Sequence, residues 1–93
     1  MSLYEVRWTV RFRRDVRLSE SRGKDLDKFK VIIDALGNGK PLPPRNRNHK
    51  LTGGWHGHME CHIEPDWLLI YRIFPREGIL ECVRMGTHAD LFE

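Results

Sequence analysis

Residues 58–85 read HMECHIEPDWLLIYRIFPREGILECVRM and contain three strand-type runs separated by two turn signals. The first run alternates polar and apolar residues, which is typical of a strand with one buried face. The second run, Trp67 to Phe74, is almost wholly apolar, as expected of a central strand covered on both faces. Pro65-Asp66 and the sequence PREG at 75–78 supply the two turns. The segment therefore predicts an antiparallel meander.

The alternation also assigns side chains to the two faces of the outer strands. In the first run, one face holds His58, Glu60, His62 and Glu64, and the other holds Met59, Cys61 and Ile63. In the third run, one face holds Leu80, Cys82 and Arg84, and the other holds Ile79, Glu81, Val83 and Met85.

The sequence before residue 58 predicts one strand, two helices and a basic loop. Alternation over 4–10 indicates a strand, and a helical pattern takes over from about Thr9. Asp25 can cap a second helix with an apolar stripe from Leu26 to Leu36, which Gly37-Asn38-Gly39 ends. A loop with three prolines spans 40–48, and a short strand is expected at about 49–51.

Together these elements predict an α+β fold in which two N-terminal helices pack on a small antiparallel sheet. The expected order is β-α-α-β-β-β-β, and a chain of 93 residues is long enough for a single domain over residues 1–93.

Composition bears on the localisation of the protein, the state of its cysteines and the class of its partner. No apolar run approaches the roughly 20 residues that cross a bilayer, and the N-terminus lacks signal-peptide features, so a cytoplasmic protein is expected. Cys61 and Cys82 are predicted to be buried thiols, with a disulfide or a reactive thiol as the alternatives. The net charge of +3 favours a polyanion or an acidic protein as partner, although charge alone does not decide.

Histidines are concentrated in the middle of the chain. Four of the five lie within residues 48–67, and the fifth lies near the C-terminus. The alternation, the Pro65-Asp66 turn and the returning tail predict one constellation, made of His49, His62, Asp66 and His88 with the aromatic residues Trp67 and Phe92.

Such a constellation suits cleavage of RNA without a metal or a cofactor, because the ribose 2′-OH is the nucleophile. One imidazole can take the proton of the 2′-OH and another can protonate the departing 5′-oxygen near neutral pH. Arg84 could offset charge on the phosphate and Lys50 could contact the RNA backbone. Trp67 and Phe92 could stack on single-stranded bases, although Trp67 starts an apolar strand and could equally belong to the core.

Two other interpretations of the histidines stay open. His56, His58 and His62 with Glu60 or Glu64 are ligand types that zinc prefers, but their spacing is not specific for a zinc site. Alternatively, His56 and His58 are ordinary surface residues.

Two segments carry a resemblance to a known family. The pattern HxLxGxWxGxxxxHxEPDWxLIY, met here from His49 to Tyr71, and the closing segment from Arg84 to Phe92 resemble the YafQ-type toxins of bacterial toxin–antitoxin systems. The likeness extends over nearly the whole chain, including Asp25 to Pro44.

The resemblance implies a RelE-like fold and a metal-independent endoribonuclease that cuts mRNA on the ribosome. It also implies a cognate antitoxin as the protein partner and no membrane or small-molecule cofactor. The family's functional residues map onto His49, His62, Asp66, Trp67, His88 and Phe92. The alternative is a non-catalytic module of the same fold that acts through its antitoxin.

Overall fold

Two helices lie in one layer and a five-stranded sheet forms the other in the computed structural model, which describes residues 2–93. The elements are β1 (Glu5–Trp8), α1 (Val10–Ser21), α2 (Leu26–Gly37), β2 (His49–Lys50), β3 (Met59–Glu64), β4 (Trp67–Phe74), β5 (Ile79–Gly86) and α3 (His88–Phe92). Short 3₁₀ helices lie at Pro44–Asn46 and Gly53–Trp55. The predicted order is confirmed, and α3 is an element that the sequence patterns did not indicate.

The sheet has the strand order β1-β5-β4-β3-β2. Strands β2 to β5 form the predicted antiparallel meander. Strand β1, however, pairs parallel to β5, so the expectation of a wholly antiparallel sheet is wrong at this edge. The physical reason is the connection, since α1 and α2 carry the chain from β1 across the sheet to β2 at the far edge.

Both helices begin at a side-chain cap. The Thr9 hydroxyl accepts from the Phe12 amide at 3.0 Å, and the Asp25 carboxylate accepts from the Asp27 amide at 3.0 Å. The Asp25 cap is the predicted one, and α1 begins one residue after the predicted Thr9. No helix within residues 2–93 is long and apolar enough to span a membrane.

Strand β4 is buried on both faces, as its composition predicted. Its helix-side face contributes Trp67, Leu69 and Tyr71 to the main core, where Phe12 and Leu36 of the helices pack. Its other face contributes Leu68 and Ile70 to a second core, which Leu91 and the half-buried Leu51, Trp55 and Val83 complete. Cys61 and Cys82 are fully buried free thiols, which confirms the prediction for them.

A β-bulge in β5 changes the predicted faces of that strand. The register passes from Ile70 opposite Arg84 to Tyr71 opposite Cys82, which leaves Val83 without a partner. Met85 therefore joins Leu80 and Cys82 in the main core, although strict alternation had put it on the other side.

A buried ion pair fixes α1 against the bulged part of β5. The Asp15 carboxylate accepts from Arg84 Nε at 2.7 Å and from the Met85 amide at 3.0 Å. Both charged side chains are largely buried, with 8% and 14% of their surface exposed. Removal of one partner from such a pair leaves a buried charge without compensation.

We therefore expect Asp15→Ala to lower the free energy of unfolding by about 3 kcal/mol, measured by urea denaturation. Asp27→Ala is the control, because Asp27 pairs with Lys30 at 3.7 Å where both side chains are exposed. That variant should lose less than about 1 kcal/mol. Equal losses in the two variants would contradict an anchoring role for Asp15.

Candidate active site

His62 of β3 lies at the centre of a histidine cluster on the sheet face opposite the main core. Its ring centre is 6.3 Å from that of His49 on β2 and 5.9 Å from that of His88 on α3. His62 is mostly buried, whereas His49 and His88 keep about half of their side chains exposed, 47% and 56%. Three separate elements thus bring the three predicted imidazoles together.

Glu60 lies beneath two of these imidazoles. Its Oε1 is 3.4 Å from His49 Nε2 and 3.6 Å from His62 Nε2. The residue is 4% exposed, and its Oε2 is buried without a hydrogen-bond partner in the described chain. A buried carboxylate is costly without polar neighbours, and the two Nε2 atoms are the polar atoms that lie beside its Oε1.

Backbone carbonyls orient the same two rings. His49 Nδ1 lies 2.6 Å from the carbonyl oxygen of Arg47, and His62 Nδ1 lies 3.2 Å from that of Pro65. A carbonyl only accepts hydrogen bonds, so each Nδ1 carries the proton and each Nε2 is directed at Glu60. The Arg47 carbonyl is presented by a left-handed backbone conformation with φ of 43°.

Asp66, in the turn between β3 and β4, holds His88. Its Oδ1 accepts from the His88 amide at 2.9 Å and lies 3.0 Å from His88 Nδ1. The backbone hydrogen bond from His88, followed by the side-chain bond, lowers the pKa of Asp66 below its ordinary value. An ionised Asp66 accepts a hydrogen bond from Nδ1–H of His88, which leaves Nε2 of that ring available to exchange a proton with a substrate.

Aromatic side chains continue the cluster along one side. The Phe92 ring is 42% exposed, and its centre lies 6.1 Å from His88 and 6.3 Å from Trp55. Trp55 in turn contacts the His58 ring edge-on at 5.2 Å. The exposed Phe92 is thus available to a base placed beside the histidines.

Trp67 is not available for the predicted stacking on a base. It is 1% exposed within the main core, and its indole ring is covered by Lys24, whose Nζ lies 5.7 Å from the ring centre. The prediction for Trp67 is therefore wrong. The reason is the irregular register between β3 and β4, which pairs Glu64 with Trp67 next to His62 with Leu68.

The two predicted basic residues differ in what surrounds them. Lys50 is exposed on β2 and pairs with Met59, on the sheet face opposite that of its neighbour His49. Arg84 is engaged by Asp15. Substrate contacts by Lys50 and Arg84 stay predictions.

The residues of the zinc interpretation do not form a metal site. Across residues 2–93, no group of three or more histidine, cysteine, aspartate or glutamate side chains is arranged to hold a metal ion. Glu64 is instead bound by Lys24 at 2.8 Å and Lys28 at 2.7 Å. His56 is exposed, and His58 packs on Trp55.

Sequence reasoning missed two residues that build the site. Glu60 was considered only as a metal ligand, although its alternation with His62 places both on one face. Asn46 is 6% exposed and donates to the carbonyl oxygen of His62 at 2.7 Å, which ties the proline-rich loop to β3. No sequence pattern indicated this contact.

Known proteins similar to this chain show its family. Residues 4–93 match the family model described as the bacterial toxin of type II toxin-antitoxin system, YafQ. The mRNA interferase toxin YafQ of Escherichia coli strain K12 is 38% identical over 89 residues, which cover 95% of each chain.

Two solved structures show the same fold. One is the E. coli DinJ-YafQ toxin-antitoxin complex, at a TM-score of 0.88 and 37% identity, covering 98% of this chain and 99% of that one. The other is a metal-bound toxin from Helicobacter pylori, at a TM-score of 0.91 and 34% identity, covering 96% and 99%. The chain therefore belongs to the YafQ family of bacterial toxins of type II toxin–antitoxin systems.

Proposed function

We propose that this toxin is an mRNA interferase, an endoribonuclease that cuts mRNA on the ribosome without a metal ion. The observation that carries the proposal is the convergence of His49, His62 and His88, with adjacent ring centres 6.3 Å and 5.9 Å apart. The relative from E. coli is named an mRNA interferase toxin, which supports the same activity.

The proposed reaction is transfer of the phosphate to the neighbouring ribose 2′-OH. One imidazole removes the 2′-OH proton, the 2′-oxygen attacks the phosphorus, and a second imidazole protonates the departing 5′-oxygen. His49 and His88 are the exposed members of the cluster and suit these two proton transfers. Asp66 orients His88, and Phe92 is placed to stack on a base beside the cleaved bond.

Glu60 has an electrostatic role in this proposal. Each imidazole that takes a proton becomes positively charged, and a carboxylate 3.4 Å from His49 Nε2 and 3.6 Å from His62 Nε2 stabilises that charge. Because Glu60 is buried, solvent screens this interaction less than it would at the surface.

We expect His49→Ala, His62→Ala and His88→Ala each to reduce mRNA cleavage by at least about 10²-fold while the protein stays folded. Cleavage of mRNA on purified ribosomes and circular dichroism measure the two properties. His56→Ala is the matched control, because His56 is exposed and lies outside the cluster, and it should cleave like the wild type. Full activity in all three cluster variants would rule out this active site.

Glu60→Gln should reduce cleavage by about 10- to 10²-fold, because the amide keeps the shape of the side chain but loses its charge. The same ribosomal assay measures the rate as a function of pH. Glu81→Gln is the control, since Glu81 lies on β5 outside the histidine cluster. The residues opposite it on the neighbouring strands are Arg7 and Arg72. A wild-type rate and pH profile for Glu60→Gln would exclude the electrostatic role.

Metal removal tests the chemistry directly. The Helicobacter pylori relative was solved with a bound metal, and a zinc-dependent site is the competing interpretation. We expect dialysis of this toxin against a chelator to leave its cleavage rate unchanged, because the nucleophile belongs to the RNA. Loss of activity that added zinc restores would favour the metal mechanism instead.

The partners follow from the same proposal. The E. coli relative is seen in complex with DinJ, and we propose that a cognate antitoxin binds this toxin and keeps it inactive in the cytoplasm. The alternative is a non-catalytic module that acts only through its antitoxin. Primer extension on cellular mRNA after induction separates them, since new in-frame cuts appear only if the toxin cleaves.

A further inference from the structure

Helix α3 is short, but it carries two residues of the proposed site. It spans only His88–Phe92, and His88 and Phe92 are its first and last residues. A helix of this length is not stable on its own, because a single turn gains too few hydrogen bonds to offset its ordering. Contacts outside the helix must therefore fix the position of both rings.

Asp90 is the centre of those contacts. Its Oδ2 accepts from the Thr87 amide at 3.0 Å, while the Thr87 hydroxyl accepts from the Asp90 amide at 3.1 Å, which together form a capping box. A Cβ atom at Gly86 would lie 2.8 Å from Asp90 Oδ2, so the close approach of the strand end to Asp90 depends on glycine there.

Arg22 binds this carboxylate from the end of α1. Its two terminal nitrogens donate to the Asp90 oxygens at 2.6 Å and 3.2 Å, a bidentate arrangement across 68 positions of the chain. The Asp90 side chain is only 21% exposed, whereas that of Arg22 is 43% exposed. The Arg22 hydrogen bond, followed by that of the Thr87 amide, lowers the pKa of Asp90 to about 2. Asp90 is therefore ionised at neutral pH.

A line of contacts thus connects Arg22 to the histidine cluster. Arg22 binds Asp90, Asp90 fixes the start of α3, and α3 presents the His88 amide and ring to Asp66 at 2.9 Å and 3.0 Å. Leu91 of α3 packs in the second core, and Phe92 contacts Trp55 at its edge. Apolar contacts are non-directional, so the direction of α3 depends on its polar contacts, which are the Arg22–Asp90 ion pair, the capping box and the Asp66–His88 hydrogen bonds.

We propose that Arg22 is a positioning residue of the ribonuclease site, acting through Asp90 to hold His88 and Phe92 in place. The inference rests on the proposed function, but its effect on α3 is measurable without any substrate. Loss of Arg22 leaves the imidazoles present and moves the element that carries one of them. A displacement of about 1 Å is enough to slow an acid–base step substantially.

The first test is cleavage of mRNA on purified ribosomes by Arg22→Gln, Arg22→Lys and Asp90→Ala. We expect Arg22→Gln to lower kcat by about tenfold with KM changed less than about twofold, because the proposed change is in positioning rather than in RNA affinity. Arg22→Lys, which keeps one charged donor, should recover part of the rate. Arg22→Gln added to Asp90→Ala should have no further effect, because the proposed influence of Arg22 on the site passes through its hydrogen bonds to Asp90.

Arg7→Gln is the matched control. Arg7 also pairs with a carboxylate, Glu5 at 2.8 Å, and loses the same charge, but it lies on β1 at the sheet edge away from β2 and β3. This variant should cleave like the wild type. If Arg22→Gln also cleaves like the wild type, or if its effect adds fully to that of Asp90→Ala, the inference is wrong.

The second test is amide hydrogen exchange. The Leu91 amide donates to the Thr87 carbonyl at 3.1 Å within α3, so we expect Arg22→Gln to accelerate its exchange several-fold and Arg7→Gln to leave it unchanged. Unchanged exchange in Arg22→Gln would also overturn the inference. A wild-type toxin that cleaves no RNA would contradict the proposed function, whereas exchange would still report on Arg22.

Discussion

The burial of β4 on both faces is the constraint on which the structure depends. On one face, Leu69 and Tyr71 pack beneath the helices, and on the other, Leu68 and Ile70 require a second cover. That cover consists of the Gly53–Trp55 turn, the bulged residue Val83 and Leu91 of α3. Because α3 is part of the cover, His88 and Phe92 are brought to the face where β2 and β3 present His49 and His62. The second core and the proposed site are therefore formed by the same elements, and a change in one affects the other.

The histidine cluster shows how a small domain brings several imidazoles together on one sheet face. His62 and Glu60 are buried, and His49 and His88 stay exposed on either side of His62. Each ring is oriented through Nδ1, by a backbone carbonyl at His49 and His62 and by Asp66 at His88. The arrangement uses two carboxylates in different environments, one buried and one exposed. Different environments of this kind let chemically equal groups serve different purposes.

Periodicity and turn chemistry were enough to predict α1, α2 and the four-stranded meander, because these depend on local patterns. The approach of His88 to His49 and His62 was expected from the returning tail and supported by the family resemblance. The parallel pairing of β1, the bulge at Val83 and the burial of Trp67 depend on long-range register, which alternation alone does not encode. Helix α3 escaped prediction because five residues show no period, and its capping box, Thr87 with Asp90, lies outside any long apolar stripe. The role of Glu60 was not predicted, because a glutamate near histidines suggested a zinc ligand. Its position beside His49 follows from the pairing of β2 with β3, which the sequence patterns did not specify.

The parallel pairing of β1 with β5 has a consequence for how the toxin is made. Thr9, which follows β1, bonds to Val83 across 74 positions of the chain, so the first strand has no sheet to join until β5 has been synthesised. Pairings between such distant segments form late and slowly, because loop closure must precede them. While a ribosome is still translating the middle of this message, α1 and α2 have no completed layer to pack on. The two-layer fold therefore closes only after the last strand has been made, so folding of this chain follows its synthesis.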